Sequence, residues 1–357
     1  MMNESKGDLR FSEKRLSGFV SQLFQSLKLP MHKSDVVTRI LVEADLLGHV
    51  THGLQLCPPY LEELEAGKME ANGEHDVIKD SGVAAVWDGR YLPGCWLTQL
   101  AVEGALEKAK IFGTGIVAIR RSHHIGCLAS YLEAPARSGY LVEISCVDPS
   151  MATVPAFGGL NPVFTPDPIA VGIPTETDPI MIDLSASTTA MGTAALYRGR
   201  GERLPGKWLQ DQDGNLTDDP NVLVGDNPGT ILPSGGIDHG HKGFALALIL
   251  ETCTQGLSGL GRVDAPTNWG AATQVRVTDP NFFCGVDEFR RQSQWIADIC
   301  KNSTPRKSEG PVRLPGQNGL RQKRQNLEQG VPLSPEIIEG LEKWSKKLEV
   351  PFIGTNG

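Results

Sequence analysis

A chain of 357 residues can bury a large core and has room for two or three domains. Its 40% hydrophobic and 21% charged residues, with 40 glycines and 24 prolines, are ordinary for a folded globular protein. The net charge of −8 argues against a nucleic-acid surface, which would cluster Lys and Arg against phosphates.

The basic run Arg321-Gln322-Lys323-Arg324 is too short to reverse that balance and reads as a solvated helix face. Seven cysteines (57, 95, 127, 146, 253, 284 and 300) include no C-x-x-C pair, so buried free thiols in a reducing compartment are expected. The first residues, Met-Met-Asn-Glu-Ser-Lys-Gly-Asp, are too polar for a signal peptide. Apolar stretches such as Phe244 to Leu250 are too short to span a bilayer. The expected location is the cytoplasm, and the expected partners are small molecules and further copies of the chain.

Leu16, Phe19, Val20, Leu23, Phe24 and Leu27 recur at helical spacing, and Pro30 is expected to end that helix. Ser34 is the expected cap of a second helix whose stripe is Val37, Ile40, Leu41, Ala44 and Leu47. Gly48 would stop it and leave Thr51 and His52 on a loop. Pro58-Pro59 starts a short acidic helix through Glu65.

From Val83 the pattern changes. The runs Val83 to Trp87, Ile116 to Ile119, Leu141 to Val147, Ile169 to Ile173 and Ile180 to Leu184 read as strands buried on both faces. Helical patterns at Leu97 to Phe112 and Cys127 to Arg137 lie between them, which argues α/β. A polar loop follows Pro205, then a glycine-rich stretch to Gly236, a helix from Gly243 to Gln255 and a strand from Thr273 to Thr278. Helices Val286 to Ile299 and Pro335 to Leu348 enclose a loop rich in Pro, Gly and Arg. Three regions are expected: a helical 1–80, an α/β core over 81–284, and C-terminal helices over 285–357 packing on the first.

Chemistry concentrates in three histidine segments. Gly48-His49-Val50-Thr51-His52-Gly53 and Ser122-His123-His124-Ile125-Gly126 hold four of the eight histidines, and Asp238-His239-Gly240-His241-Lys242-Gly243 adds a lysine. Histidine titrates near neutrality and suits proton transfer. His124 sits between a strand and a helix pattern, where α/β proteins favour ligand sites. The plain alternative is a histidine that satisfies loop backbone groups. His49 with His52, and His239 with His241, also permit a metal reading, as in a hydrolase or lyase, although the H-E-x-x-H helix is absent. Asp183 at a strand end can bind a ribose, orient a histidine or cap a helix. Lys242 in its glycine frame suits a phosphate or carboxylate, or simply water. Gly256, Gly259 and Gly261 follow a helix and do not form G-x-G-x-x-G, so no Rossmann fingerprint is visible.

Thr51-His52-Gly53 with Tyr60, Asn161-Pro162, the run Pro168 to Pro174, Asp183 to Gly192, Lys242-Gly243 and Leu314-Pro315-Gly316 occur in one order along the chain. With these the chain resembles the malate/L-lactate dehydrogenase family unrelated to Rossmann-type enzymes, which includes ureidoglycolate and L-sulfolactate dehydrogenases and diketogulonate and piperideine-carboxylate reductases. The resemblance implies a non-Rossmann mixed-sheet α/β fold, NAD or NADP as cofactor, and a homodimer with the active site near the subunit interface. It implies that His124 is the catalytic proton donor and acceptor, with His52 and Asp183 beside it. Thr51 stands where the family usually has Ser, and with His52 it would line the substrate pocket. Asp183, Leu184 and Ser185, together with Asp148, Lys242 and Gly243, would contact the cofactor.

Two departures bear on the substrate. Leu56 stands where the family usually has an arginine suited to a substrate carboxylate, and His123 stands where it usually has Asn. Arg120, Arg121 or protonated His123 are replacement cations; otherwise the substrate presents an apolar group to Leu56. The expected reaction passes hydride between nicotinamide and C2 of a 2-hydroxy or 2-oxo acid. Reduction of a cyclic 2-imino acid on the same fold is the alternative.

Overall fold

The computed structural model describes residues 9–307 and 310–354. It begins with strand β1 (Leu9–Phe11) and helices α1 (Glu13–Ser26), α2 (Met31–Leu47) and α3 (Cys57–Glu65). Next come β2 (Asp76–Asp80), β3 (Ala84–Asp88), α4 (Gly94–Phe112), β4 (Thr114–Ser122), α5 (Glu133–Arg137) and β5 (Leu141–Val147). Strands β6 (Val154–Pro155), β7 (Pro162–Phe164), β8 (Pro168–Ile173) and β9 (Ile180–Ser185) lead to α6 (Met191–Gly199). The short strands β10 (Leu209–Gln210), β11 (Leu216–Thr217) and β12 (Thr230–Ile231) precede α7 (Gly236–His239), α8 (His241–Glu251) and β13 (Ala271–Thr278). The chain closes with α9 (Val286–Lys301), α10 (Gln317–Gln329), β14 (Val331–Leu333) and α11 (Pro335–Lys347).

A seven-stranded sheet in the order β2-β3-β4-β13-β5-β8-β9 organises the molecule. Only β3 and β4 pair in parallel; every other pair is antiparallel. This is the expected mixed α/β sheet, and it is not the parallel doubly wound sheet of a Rossmann domain. β13 enters between β4 and β5 from far along the chain and joins the two halves of the sheet.

The stripes read from the sequence face inward. Leu16, Phe19, Val20, Leu23 and Phe24 of α1 and Val37, Ile40, Leu41, Ala44 and Leu47 of α2 are all buried. Each large apolar side chain taken from water contributes roughly 1.5–3 kcal/mol. Gly48 ends α2 in the left-handed region at φ 84°, as glycine there should. One apolar cluster draws on α1, α2, α4, the central strands, α10 and α11; a second gathers Val147, Phe164, Ile231 and Leu250.

Several local expectations are corrected. α1 stops at Ser26, and Pro30 instead caps α2, which starts at Met31. Ser34 lies buried inside α2, its hydroxyl donating to the Met31 carbonyl at 3.0 Å. The Cys127 to Arg137 pattern is broken into a 3-10 turn, Leu128–Tyr131, and the short α5. The Tyr131 hydroxyl donates to the Ile125 carbonyl at 2.6 Å and folds that turn back on its entry. β9 is exposed at Asp183 and Leu184, so it is not buried on both faces, and the exposed edge strand β2 was not among the expected strands. The expected Pro/Gly/Arg-rich loop contains α10, which is mostly polar and is fastened by its side chains. Lys323 pairs with Glu43 at 2.7 Å and Glu133 at 2.8 Å, and Arg324 pairs with Asp178 at 3.0 Å, so the basic run is not merely solvated. All seven cysteines are free, but Cys284 and Cys300 are exposed, not buried. Among the described residues no helix is long and apolar enough to cross a membrane.

Candidate active site

Two segments bring the histidines together. β4 ends at Ser122, and His123 and His124 then cross the start of α4. A Cβ on Gly94 would lie 1.9 Å from the His123 carbonyl oxygen and 2.6 Å from that of His124, so only glycine permits this approach. The second segment is the turn between α2 and α3, which carries Thr51 and His52. The His52 and His124 rings stack with centroids 6.0 Å apart.

Tyr60, on α3, completes the pair. Its hydroxyl lies 2.6 Å from His124 Nδ1 and 3.2 Å from the His124 carbonyl oxygen. The Gly126 backbone N–H donates to the same Nδ1 at 3.3 Å. A ring nitrogen that accepts an N–H carries no proton of its own, so neutral His124 holds its hydrogen on Nε2. Trp269 lies against His124 at 4.9 Å, His123 at 5.0 Å and Tyr60 at 5.7 Å between ring centroids.

The electrostatics keep these rings neutral. Burial, then the neighbouring His52 and His123, hold His124 well below its ordinary 6.5. Burial pushes His123 down to about 3, and its Nε2 lies 3.5 Å from Glu63. Burial lowers His52 as well, partly opposed by the charge of Asp183. Burial raises the Tyr60 phenol well above its usual value, so it stays protonated.

The remaining expected residues divide between this cluster and a second. Thr51 Oγ1 lies 2.9 Å from His52 Nδ1, and Thr51 also meets Gly192 at the start of α6. Asp148 is half-buried next to Gly270, the residue after Trp269, with its carboxylate accepting from Ser150. Asp183 is exposed and accepts the Ala129 backbone N–H at 2.9 Å, so it does cap a helical turn, though not the one that follows it. Ser185 and Gly243, with their chain neighbours Leu184 and Lys242, come together at Ser234. Ser234 ties them: its hydroxyl donates to the Ser185 carbonyl at 3.1 Å, and its carbonyl accepts from Gly243 N–H at 3.1 Å. Lys242 is exposed on the first turn of α8.

Leu56 is half-buried and packs against the main apolar cluster. The cations expected to replace its missing arginine are engaged elsewhere. Arg120 and Arg121 both bind Asp88, at 2.9 and 2.7 Å, and His123 is neutral by burial. Among the described residues no group of three or more His, Cys, Asp or Glu side chains is placed to hold a metal ion. His239 and His241 lie exposed, their rings 6.1 Å apart.

A cleft of about 1980 Å³ is walled by Asp45, His49, Asp183, Arg200, Arg313 and Gly316 among others, while His52, His124, Tyr60 and Trp269 do not line it. It exceeds the roughly 300–1,000 Å³ usual for a small-ligand site. Tyr60, Trp269 and Glu63 are site residues that sequence reasoning did not assign a role. Tyr60 appeared only as part of a motif, and Trp269 sits in a loop with no periodicity to single it out.

Comparison with known proteins gives the family and the fold. The malate/L-lactate dehydrogenase family model matches residues 11–342. The chain is 27% identical to the L-sulfolactate dehydrogenase of Methanothermobacter thermautotrophicus, covering 96% of this chain and 98% of that protein. The malate dehydrogenase of Entamoeba histolytica has the same fold, with a TM-score of 0.92 at 22% identity over 97% of this chain and 100% of that one. The Δ1-piperideine-2-carboxylate reductase of Pseudomonas syringae superposes with a TM-score of 0.81 at 26% identity, covering 94% of this chain and 99% of that one. The chain therefore belongs to the malate/L-lactate dehydrogenase family and is an oxidoreductase of the kind that acts on the CH–OH group of hydroxy acids.

Proposed function

We propose that this protein interconverts a 2-hydroxy acid and the corresponding 2-oxo acid with NAD or NADP, and that His124 moves the proton. One observation carries the assignment: Tyr60 and Gly126 occupy His124 Nδ1, which leaves Nε2 as the ring's proton-carrying atom. In reduction Nε2 gives its proton to the oxygen on C2; in oxidation it takes the hydroxyl proton back. The hydride at C2 would come from, or go to, a bound nicotinamide. Thr51 and His52 line the substrate side, and the buried Tyr60 ring with the half-buried Trp269 ring keeps water from the reacting oxygen.

Of the residues expected to hold the cofactor, only Asp183 stands on the wall of the cleft, where it is exposed. Asp183, Leu184 and Ser185 at the end of β9, with Asp148, Lys242 and Gly243, would hold the cofactor. With no cation free near His124 among the expected ones, the substrate fits best with an apolar group toward Leu56, bulkier or less charged at that end than malate. The reductase neighbour keeps a cyclic 2-imino acid as the second reading, because the proton and hydride steps are analogous. We also assign a homodimer, supported by the uncovered apolar face of Leu248, Ile249 and Leu257 on and after α8, exposed 48%, 59% and 57%. A cytoplasmic location is in keeping with seven free thiols.

The test is titration with NADH, NADPH and Zn²⁺, followed by turnover on a panel of 2-oxo acids. His124→Ala should lower kcat by roughly 10²–10⁴-fold with little change in cofactor affinity. Stabilisation by Zn²⁺ alone, or near-normal turnover in the variant, would count against the reading. Sedimentation equilibrium checks the dimer.

A further inference from the structure

Asp45 lies on the last turn of α2, 2% exposed, at the edge of the cleft. Its Oδ2 accepts the Leu54 backbone N–H at 2.7 Å, and its Oδ1 has no partner among the described residues. A Cβ on Gly53 would lie 2.5 Å from the carboxyl carbon and from both oxygens, so the carboxyl rests directly on the Gly53 backbone.

The turn carrying Thr51 and His52 is thus held at both ends. At its entry the Gly48 N–H donates to the Asp45 carbonyl at 3.0 Å and the His49 N–H to the Ala44 carbonyl at 2.8 Å. At its exit the Asp45 side chain grips Gly53 and Leu54. An acid is an expensive choice for this place. Burial without a second partner is unfavourable, and the C-terminal end of a helix disfavours negative charge. Burial pushes this carboxyl up to about 8, so at neutral pH it stands mostly as the neutral acid with a carbonyl oxygen toward Leu54.

We propose that Asp45 is a positioning residue for the dehydrogenase reaction, its carboxyl fixing the exit of the 48–54 turn and with it the placement of Thr51 and His52 against His124. The assignment rests on the reading of the His52–His124 cluster as the reaction centre. Asp45 touches no reacting atom; it acts through His52. Asparagine keeps the carbonyl oxygen for Leu54, so it should substitute, whereas alanine leaves the Leu54 N–H unpaired and Gly53 unsupported.

The test compares kcat, KM and thermal midpoint for Asp45→Ala, Asp45→Asn, Gly53→Ala and the Asp45→Ala/Gly53→Ala double variant, with His124→Ala as reference. At temperatures where each is folded, Asp45→Ala should lose roughly 10–100-fold in kcat, the scale of a small misplacement at a reacting centre, with cofactor affinity unchanged. Asp45→Asn should stay within about threefold of wild type. Gly53→Ala should be slowed to a similar extent, and adding it to Asp45→Ala should cost little more, because the two changes break one contact. Wild-type kcat in folded Asp45→Ala, or equal damage from Asn and Ala, overturns the role. If Asp45→Ala does not fold, Asp45→Asn and Gly53→Ala decide: a wild-type kcat in Gly53→Ala overturns it as well. An inactive His124→Ala beside an intact Asp45→Ala rejects the positioning role alone, whereas an active His124→Ala rejects the centre itself.

Discussion

At His124, burial and two neighbouring imidazoles all disfavour the charged ring, so the free protein holds it neutral well below pH 6.5. In the proposed reaction the neutral ring is the base that hydroxy-acid oxidation needs. Lowering its pKa extends that form toward acid, so the acid limb of kcat/KM for oxidation should fall below pH 6.5. A pH profile taken with excess cofactor checks this, and a limb at or above 6.5 contradicts it. At Leu56 the question is specificity. An unpaired carboxylate entering a dry site is costly, and no expected cation near His124 is free to meet one. Leu56→Arg should therefore shift preference toward compact dicarboxylates by roughly 1–3 kcal/mol in relative kcat/KM. Wild type and variant on 2-oxo acids of graded size and charge decide it; a wild type that already prefers oxaloacetate, only damaged by the change, removes Leu56 as the discriminating residue.

At the scale of elements, the site depends on how closely α4 approaches the segment leaving β4. Gly94 sits at the first position of α4, with the His123 and His124 carbonyls where a side chain would begin. Backbone cannot yield as a flexible side chain does. Gly94→Ala should lower stability by about 1–3 kcal/mol and displace His124, reducing kcat more than cofactor affinity. Denaturant unfolding beside steady-state kinetics tests both; an unchanged midpoint and kcat would show that the segment can shift freely. The same closeness recurs at Gly243, on the side proposed to hold the cofactor. A Cβ on Gly243 would lie 2.3 Å from Ser234 N and 2.5 Å from the Ala186 carbonyl, which draws α8 onto the loop after β9.

For the whole molecule, the fold carries a further buried acid, Asp167, to which no step of the reaction is assigned. Asp167, fully buried, accepts the Thr165 hydroxyl at 2.6 Å, while burial and then Glu251 push its carboxyl up to about 8. Its ordinary value is 3.8, so between about pH 4 and 8 the unfolded chain releases a proton that the folded chain keeps. That contribution makes stability fall as pH rises through this window. Asp167→Asn removes it and tolerates the residue's φ of 46°, which suits asparagine. The midpoint of the variant relative to wild type should thus rise from pH 5 to pH 8.5; a difference that stays flat or falls would show that Asp167 is ionised in the fold.

Helices α1 to α4, α8, α9 and α11 and most strands of the main sheet were legible in the sequence because their signals are local, whereas α6, α7 and α10 were not. The stripes of α1 and α2, the stop at Gly48, and the β-branched runs of β4, β5 and β8 each follow from the period of one element. The histidine segments were legible too, since glycines and hydroxyls flank them within a few residues, and the order of motifs carried the family. What stayed hidden depends on distant partners. α10 has a weak apolar stripe and is fastened by Lys323 to Glu43 and Glu133, far away in sequence. The capping role of Asp183 falls on Ala129, 54 positions earlier. Trp269 reaches His124 only because β13 inserts between β4 and β5. Residue types and spacing by themselves determined that His124 could move a proton. Only the tertiary structure decided that Tyr60 and Gly126 occupy its Nδ1, because a hydrogen bond is set by atoms that meet in space, whatever their separation along the chain.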